Sequence, residues 1–114
     1  MYKEQTDTSL GYVQIDKKVI SSIASISTLE TEGVSRLASR FVFGIPEVIS
    51  TIKVNIYKNG EIGLNVPIVV KYGYNIPDVA YKVQENIQLA LEKMTNMSVK
   101  YINIIVKSVE RSKT

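Results

Sequence analysis

Apolar and polar positions alternate over Gly11-Tyr12-Val13-Gln14-Ile15, which predicts a short strand with Val13 and Ile15 on one side. From residue 17 to about residue 31 the apolar spacing becomes three and four. Val19, Ile20, Ile23, Ala24 and Ile26 or Ser27 then form the stripe of an amphipathic helix. Asp16 is placed to cap this helix and Gly33 to stop it. Lys17 and Lys18 fall in its first turn, where they oppose the helix dipole. Residues 35–50 are less regular. Arg36 and Arg40 stand four apart, as do Leu37 and Phe41, which suits a short amphipathic turn of helix. Phe41-Val42-Phe43 is an apolar cluster, followed by a Gly44-Ile45-Pro46 break.

Alternation returns over residues 51–57, with Ile52, Val54 and Ile56 facing one way. Asn59-Gly60 predicts a hairpin turn in which both residues accept positive φ. The returning strand, 61 to about 72, carries Ile62, Leu64, Val66, Ile68 and Val70 on one face. Pro67 requires a free side or a bulge there. A second helix begins at Asn75 or Ile76, with Pro77 in its first turn. Its stripe is Val79, Ala80, Val83, Ile87, Ala90, Leu91 and Met94, and Asn96 ends it in the left-handed conformation. A last strand, 99 to about 109, sets Ile102, Ile104 and Val106 against Tyr101, Asn103, Ile105 and Lys107. The order β-α-β-β-α-β, with one apolar face per element, predicts a two-layer α+β fold. Both helices pack on one face of a mixed sheet of about four strands, and the other face is open. Residues 10–110 are expected to form a single domain, after a flexible segment 1–9 and before a tail 111–114.

Composition narrows the chemistry. The 114 residues include no His, Cys or Trp, which removes disulfides, zinc fingers, thiol nucleophiles and a histidine base. A chain of this length can bury roughly 65% of its extended surface without a staple. With 14 basic and 11 acidic residues, the net charge of +3 permits weak attraction to anions and argues for none. The N-terminal residues lack the apolar core of a secretory signal, and no apolar run approaches the roughly 18 residues of a membrane span. These features point to a soluble intracellular domain. Glu30 and Glu32 form the nearest acidic pair and read as a solvated helix end. No phosphate loop, nucleophile elbow or dinucleotide fingerprint occurs. The expectation is no enzyme, no cofactor, no metal and no small-molecule substrate.

Binding is the better-supported class. The open sheet face would present Tyr12, Gln14, Lys53, Tyr57, Lys71 and Tyr101, with no acid among them. Exposed tyrosines suit a protein interface, and tyrosines among lysines also suit stacking on single-stranded nucleic acid. Phe41 and Phe43, flanked by Arg36 and Arg40, either close the core under the loop or form an apolar docking knob.

Three stretches carry a family resemblance. Gly11-x-Val13-x-Ile15-x-x-x-Val19-Ile20-x-x-Ile23-Ala24, with Glu30-x-Glu32-Gly33-Val34, resembles the opening of the alkaline shock protein family of Gram-positive bacteria. Val70-x-Tyr72-Gly73-x-Asn75-Ile76-Pro77-x-Val79-Ala80-x-x-Val83-Gln84 resembles its central signature. Met94-Thr95-Asn96-Met97-x-Val99 and Ile102-Asn103-Ile104-x-Val106 resemble its closing motif. The resemblance implies a non-enzymatic scaffold or adaptor of the cell-envelope stress response. Such a protein is cytoplasmic, self-associates as a homo-oligomer and is held near the membrane by a membrane-anchored partner. It implies fold roles for Gly33, Gly73, Val83 and Ile104, and Gln84, polar beside the apolar stripe, is expected to cap a loop backbone group. Partner contacts are expected at Arg36, Arg40, Phe41, Phe43, Lys53, Tyr57, Lys71 and Tyr101. Single-stranded nucleic-acid binding through the Lys/Tyr face is the alternative.

Overall fold

The computed structural model describes residues 5–39, 41–42, 45–46 and 51–111. Its elements run β1 (Gln5–Thr8), β2 (Gly11–Gln14), α1 (Lys17–Leu29), β3 (Val34–Leu37), β4 (Phe41–Val42), β5 (Ile45–Pro46), β6 (Lys53–Ile56), β7 (Ile62–Lys71), α2 (Ile76–Thr95) and β8 (Val99–Glu110). The organising strand is β7. Along one edge it pairs antiparallel first with β6, from Ile56↔Ile62 to Lys53↔Asn65, and then with β3, from Leu37↔Ile68 to Val34↔Val70. Along the other edge it pairs parallel with β8 over its whole length. Pro67 sits where β6 has ended and β3 begins. Its carbonyl accepts from the Ala38 N–H at 2.9 Å, and the Ala38 carbonyl, which Pro67 has no N–H to serve, accepts from the Thr51 hydroxyl at 2.7 Å.

Strict alternation along β7 sends Ile62, Leu64, Val66, Ile68 and Val70 to one face, all 0% exposed. They meet Ile20, Ile23 and Ala24 of α1 and Val79, Val83, Ile87 and Leu91 of α2. Each fully buried aliphatic side chain contributes about 1.5–3 kcal/mol. This is the expected α+β fold, a helical layer on one face of a mixed four-stranded sheet.

Both helices start as expected. The Asp16 side chain accepts from the Lys18 N–H at 2.8 Å, and that of Asn75 from the Asp78 N–H at 3.0 Å. Asn96 ends α2 at φ 59°. Gly33 is not the stop of α1, which ends at Leu29. Its φ of 95° turns the chain into β3, and a Cβ there would meet Val79 Cγ2 at 2.6 Å.

Four local expectations are corrected. The strand at residues 11–14 does not enter the main sheet; it pairs with β1, inside the stretch read as frayed. Its place in the sheet is taken by β3, where a turn of helix was expected. Met94 is 66% exposed, and Met97 fills the core instead. The β6–β7 turn has a three-residue loop, with Tyr57 and Glu61 paired at its base and only Gly60 at positive φ. Asn59 acts through its side chain, which accepts from the Glu61 N–H at 3.0 Å.

Candidate interaction surface

The face of the sheet away from the helices holds a cluster built by cross-strand register. Asn55, Gly63 and Tyr101 lie side by side on β6, β7 and β8. Gly63 has no side chain, so the Tyr101 ring lies down over it; a Cβ at Gly63 would collide with the ring. The Tyr101 hydroxyl accepts from Asn55 Nδ2 at 2.8 Å and from the Tyr57 hydroxyl at 3.3 Å. The two rings stand edge to face, 6.3 Å between centroids. Lys100 Nζ sits over the Tyr57 ring, 4.3 Å from its centroid. The next row along the strands joins Asn103 Nδ2 to Asn65 Oδ1 at 3.0 Å. A shallow depression of about 250 Å³ borders the cluster, lined by Gln84, Gln88, Lys100 and Tyr101 among others.

The two phenols are electrostatically unequal. Tyr101 is made more acidic than an ordinary tyrosine by the Tyr57 hydroxyl, then by Asn55, and then by the charges of Lys100 and Lys53. Tyr57, which gives its proton to that bond, is made less acidic.

Of the residues singled out from sequence, Lys53, Tyr57 and Tyr101 come together here. Lys71 lies at the other end of the face, six positions along β7 from Asn65, the partner of Lys53, or about 20 Å. Arg36 is at that end too, with its Nε 3.3 Å from Glu110 Oε1. Ser35 donates to the same oxygen. An acid therefore does stand on this face, where none was expected. Tyr12 and Gln14 belong to the separate β1–β2 hairpin. Arg40 and Phe43 lie outside the described residues, and Phe41 is described as pairing with Pro46 in a two-strand ladder.

Three members were missed by strict alternation. Lys100 is the extra residue between the pairs Ile62↔Val99 and Gly63↔Tyr101, and this bulge turns it to the open face. Gly63 was passed over because its role is to be absent under a ring. Glu110 lies just past the expected end of the last strand. The signal for Lys100 was a lysine at an apolar-parity position. Gln84 does bind a backbone group, but of a strand and not of a loop: its Nε2 donates to the Ile102 carbonyl of β8 at 2.9 Å.

Among the described residues no cluster of acidic side chains is placed to hold a metal ion, and no helix is long and apolar enough to cross a membrane. Residues 5–111 match the alkaline shock protein 23 family, described as having a cell envelope-related function. The chain belongs to that family. It is 36% identical over 113 residues to the uncharacterized protein YqhY of Bacillus subtilis (strain 168), covering 94% of this chain and 83% of that one. It is 27% identical over 109 residues to YloU of the same organism, covering 90% and 91%. Among solved structures its backbone is similar to MamM-CTD, with a TM-score of 0.53 at 11% identity, over 82% of this chain and 98% of that one. That likeness is one of fold.

Proposed function

We propose that this alkaline shock protein is a non-enzymatic scaffold at the cell envelope. It docks a membrane-anchored protein through the open sheet face and associates with itself. The observation that carries the docking half is the Asn55–Tyr57–Tyr101 cluster. Its aromatic edges are held in place before any partner arrives, so little side-chain entropy remains to be lost on binding. Lys53, Lys71, Lys100 and Lys107 give the face a basic balance against Glu110, which already pairs with Arg36. The fitting partner segment is acidic with an apolar anchor. Nucleic-acid stacking is disfavoured by the same geometry, because the Tyr101 ring lies on Gly63 and Lys100 occupies a face of Tyr57.

The test is crosslinked recovery of the tagged protein from its own cells, with and without nuclease, for wild type, Lys53→Glu and Tyr57→Ser. A membrane protein recovered independently of nuclease, and reduced at least about tenfold in both variants, supports the reading. Recovery dominated by nuclease-sensitive material overturns it. So does equal recovery by variants whose circular dichroism matches wild type.

A further inference from the structure

The solvent side of α1 is unusual for a surface helix. No charged residue occurs from Val19 through Leu29. The core-facing stripe is Ile20, Ile23, Ala24 and Thr28, all buried. A second stripe, Val19, Ser22, Ile26 and Leu29, faces outward at spacings of three and four, and its apolar members are 47%, 58% and 53% exposed. The second helix, α2, also exposes Tyr81, Leu89 and Met94, but it sets Asp78, Lys82, Glu85, Glu92 and Lys93 among them, and this charge is what α1 lacks.

Its charges are at the wrong ends. Lys17 and Lys18 sit at the N-terminus of α1, and Glu30 and Glu32 follow its C-terminus; its first turn has no acid and its last turn no base. Each of these four charges opposes the helix dipole, and only the N-cap Asp16 favours it. Among the described residues, Lys17, Lys18 and Glu30 have no ion-pair partner within the chain. A second α1 laid antiparallel resolves both anomalies. Taken about the midpoint at Ala24, Val19 of one copy lies level with Leu29 of the other, and Ser22 with Ile26. Lys18 of one copy lies level with Glu30 of the other. Asp16, level with Glu32, is turned to the helix N-terminus, where it caps the Lys18 N–H, and the balance of the two ends stays basic against acidic. Ser22 at the centre lets the backbones approach closely.

We infer that α1 is the self-association surface: two copies of this chain pair through antiparallel α1 helices about a two-fold axis. The inference rests on the self-association half of the proposed function and names its surface. The seam is about 20 Å of helix, the length of a small interface, so the dimer is concentration-dependent.

Sedimentation velocity across a concentration series tests it on the full chain. Wild type is expected to dimerise reversibly. Ile26→Asp is expected to remain monomeric where wild type is dimeric. Two charge-reversed chains give the decisive arm: one carries Lys17→Glu with Lys18→Glu, the other Glu30→Lys with Glu32→Lys. Each reversal improves its own helix's dipole energetics, so lost association is not lost folding. Each chain alone is expected to dimerise at least about tenfold more weakly than wild type, and an equal mixture to recover a heterodimer. A wild-type chain that stays monomeric overturns both this inference and the self-association half of the reading. Dimers unaffected by Ile26→Asp and by the reversals overturn the α1 surface alone. Weak association in the mixture, with weak association in each separate chain, overturns the antiparallel arrangement.

Discussion

Tyr101 shows how one side chain takes its properties from three neighbours on different strands. Gly63 supplies the space, Asn55 and Tyr57 supply the donors, and the pair of phenols then divides its protons unequally. On alkaline titration followed by the NMR signals of the tyrosine ring carbons, Tyr101 is expected to ionise first and Tyr57 last. Tyr57→Phe should move the Tyr101 transition up toward its ordinary value of 10.0. Because the folded Tyr101 releases its proton more readily than the unfolded chain does, stability rises as pH climbs through its folded transition. Tyr57 has the opposite sign, and its contribution is lost as pH rises past about 10. The order is wrong if the two signals move together in wild type. Gly63→Ala separates packing from electrostatics. The atoms that a Cβ meets are at the far end of the Tyr101 ring, which can swing aside. The expected loss is about 1 kcal/mol in urea denaturation, with the Tyr101 titration returning to ordinary.

The helices and the long strands were legible because each keeps an apolar period over most of its length. Val19 and Ile26, expected in the buried stripe of α1, are nonetheless exposed, and β8 shifts register at Lys100 and Lys107. Where a period is interrupted, legibility fails for a physical reason. In β3 the bulge between Val34 and Arg36 inserts Ser35, so alternation is lost within four residues and the Arg36/Arg40 spacing suggests a helix instead. In β1 every residue with a described side chain is exposed; a strand with no buried face writes no hydrophobic pattern. Met94 follows the stripe of α2 in spacing, yet it lies in the last turn, where the core is taken over by Met97 after the cap. The site was half legible: Lys53, Tyr57 and Tyr101 follow from parity, whereas Lys100 needed the bulge. The cap itself gives a direct test. Asn96 holds a left-handed conformation, so Asn96→Ala is expected to lower stability by about 1 kcal/mol and Asn96→Gly to leave it intact. Thermal melts of the two variants decide this; equal losses would mean that the side chain, not the backbone conformation, is what matters.

At the scale of the whole molecule, β7 holds three partners and lies beneath both helices, while the β1–β2 hairpin is exposed along all of β2. A lone two-stranded hairpin is marginal in water. Native-state hydrogen exchange should therefore run in a fixed order, with β7 amides last, exchanging only through global unfolding, and β1–β2 amides first. Uniform protection across both would show that the hairpin is held by the body of the fold.

One consequence concerns how such a molecule can build anything larger. Among the described residues no strand pairs with the outer side of β8, which leaves a long row of backbone groups facing outward. That row is interrupted. The two residues that break its register against β7, Lys100 and Lys107, are both lysines, and the carbonyl of Ile102 is already engaged by Gln84. Bulges and charge at a free edge deny an incoming strand a continuous template. Growth by adding strand to strand, the route to fibrils, is closed along this border. Along this border, contact between folded units is left to faces rather than to added strands.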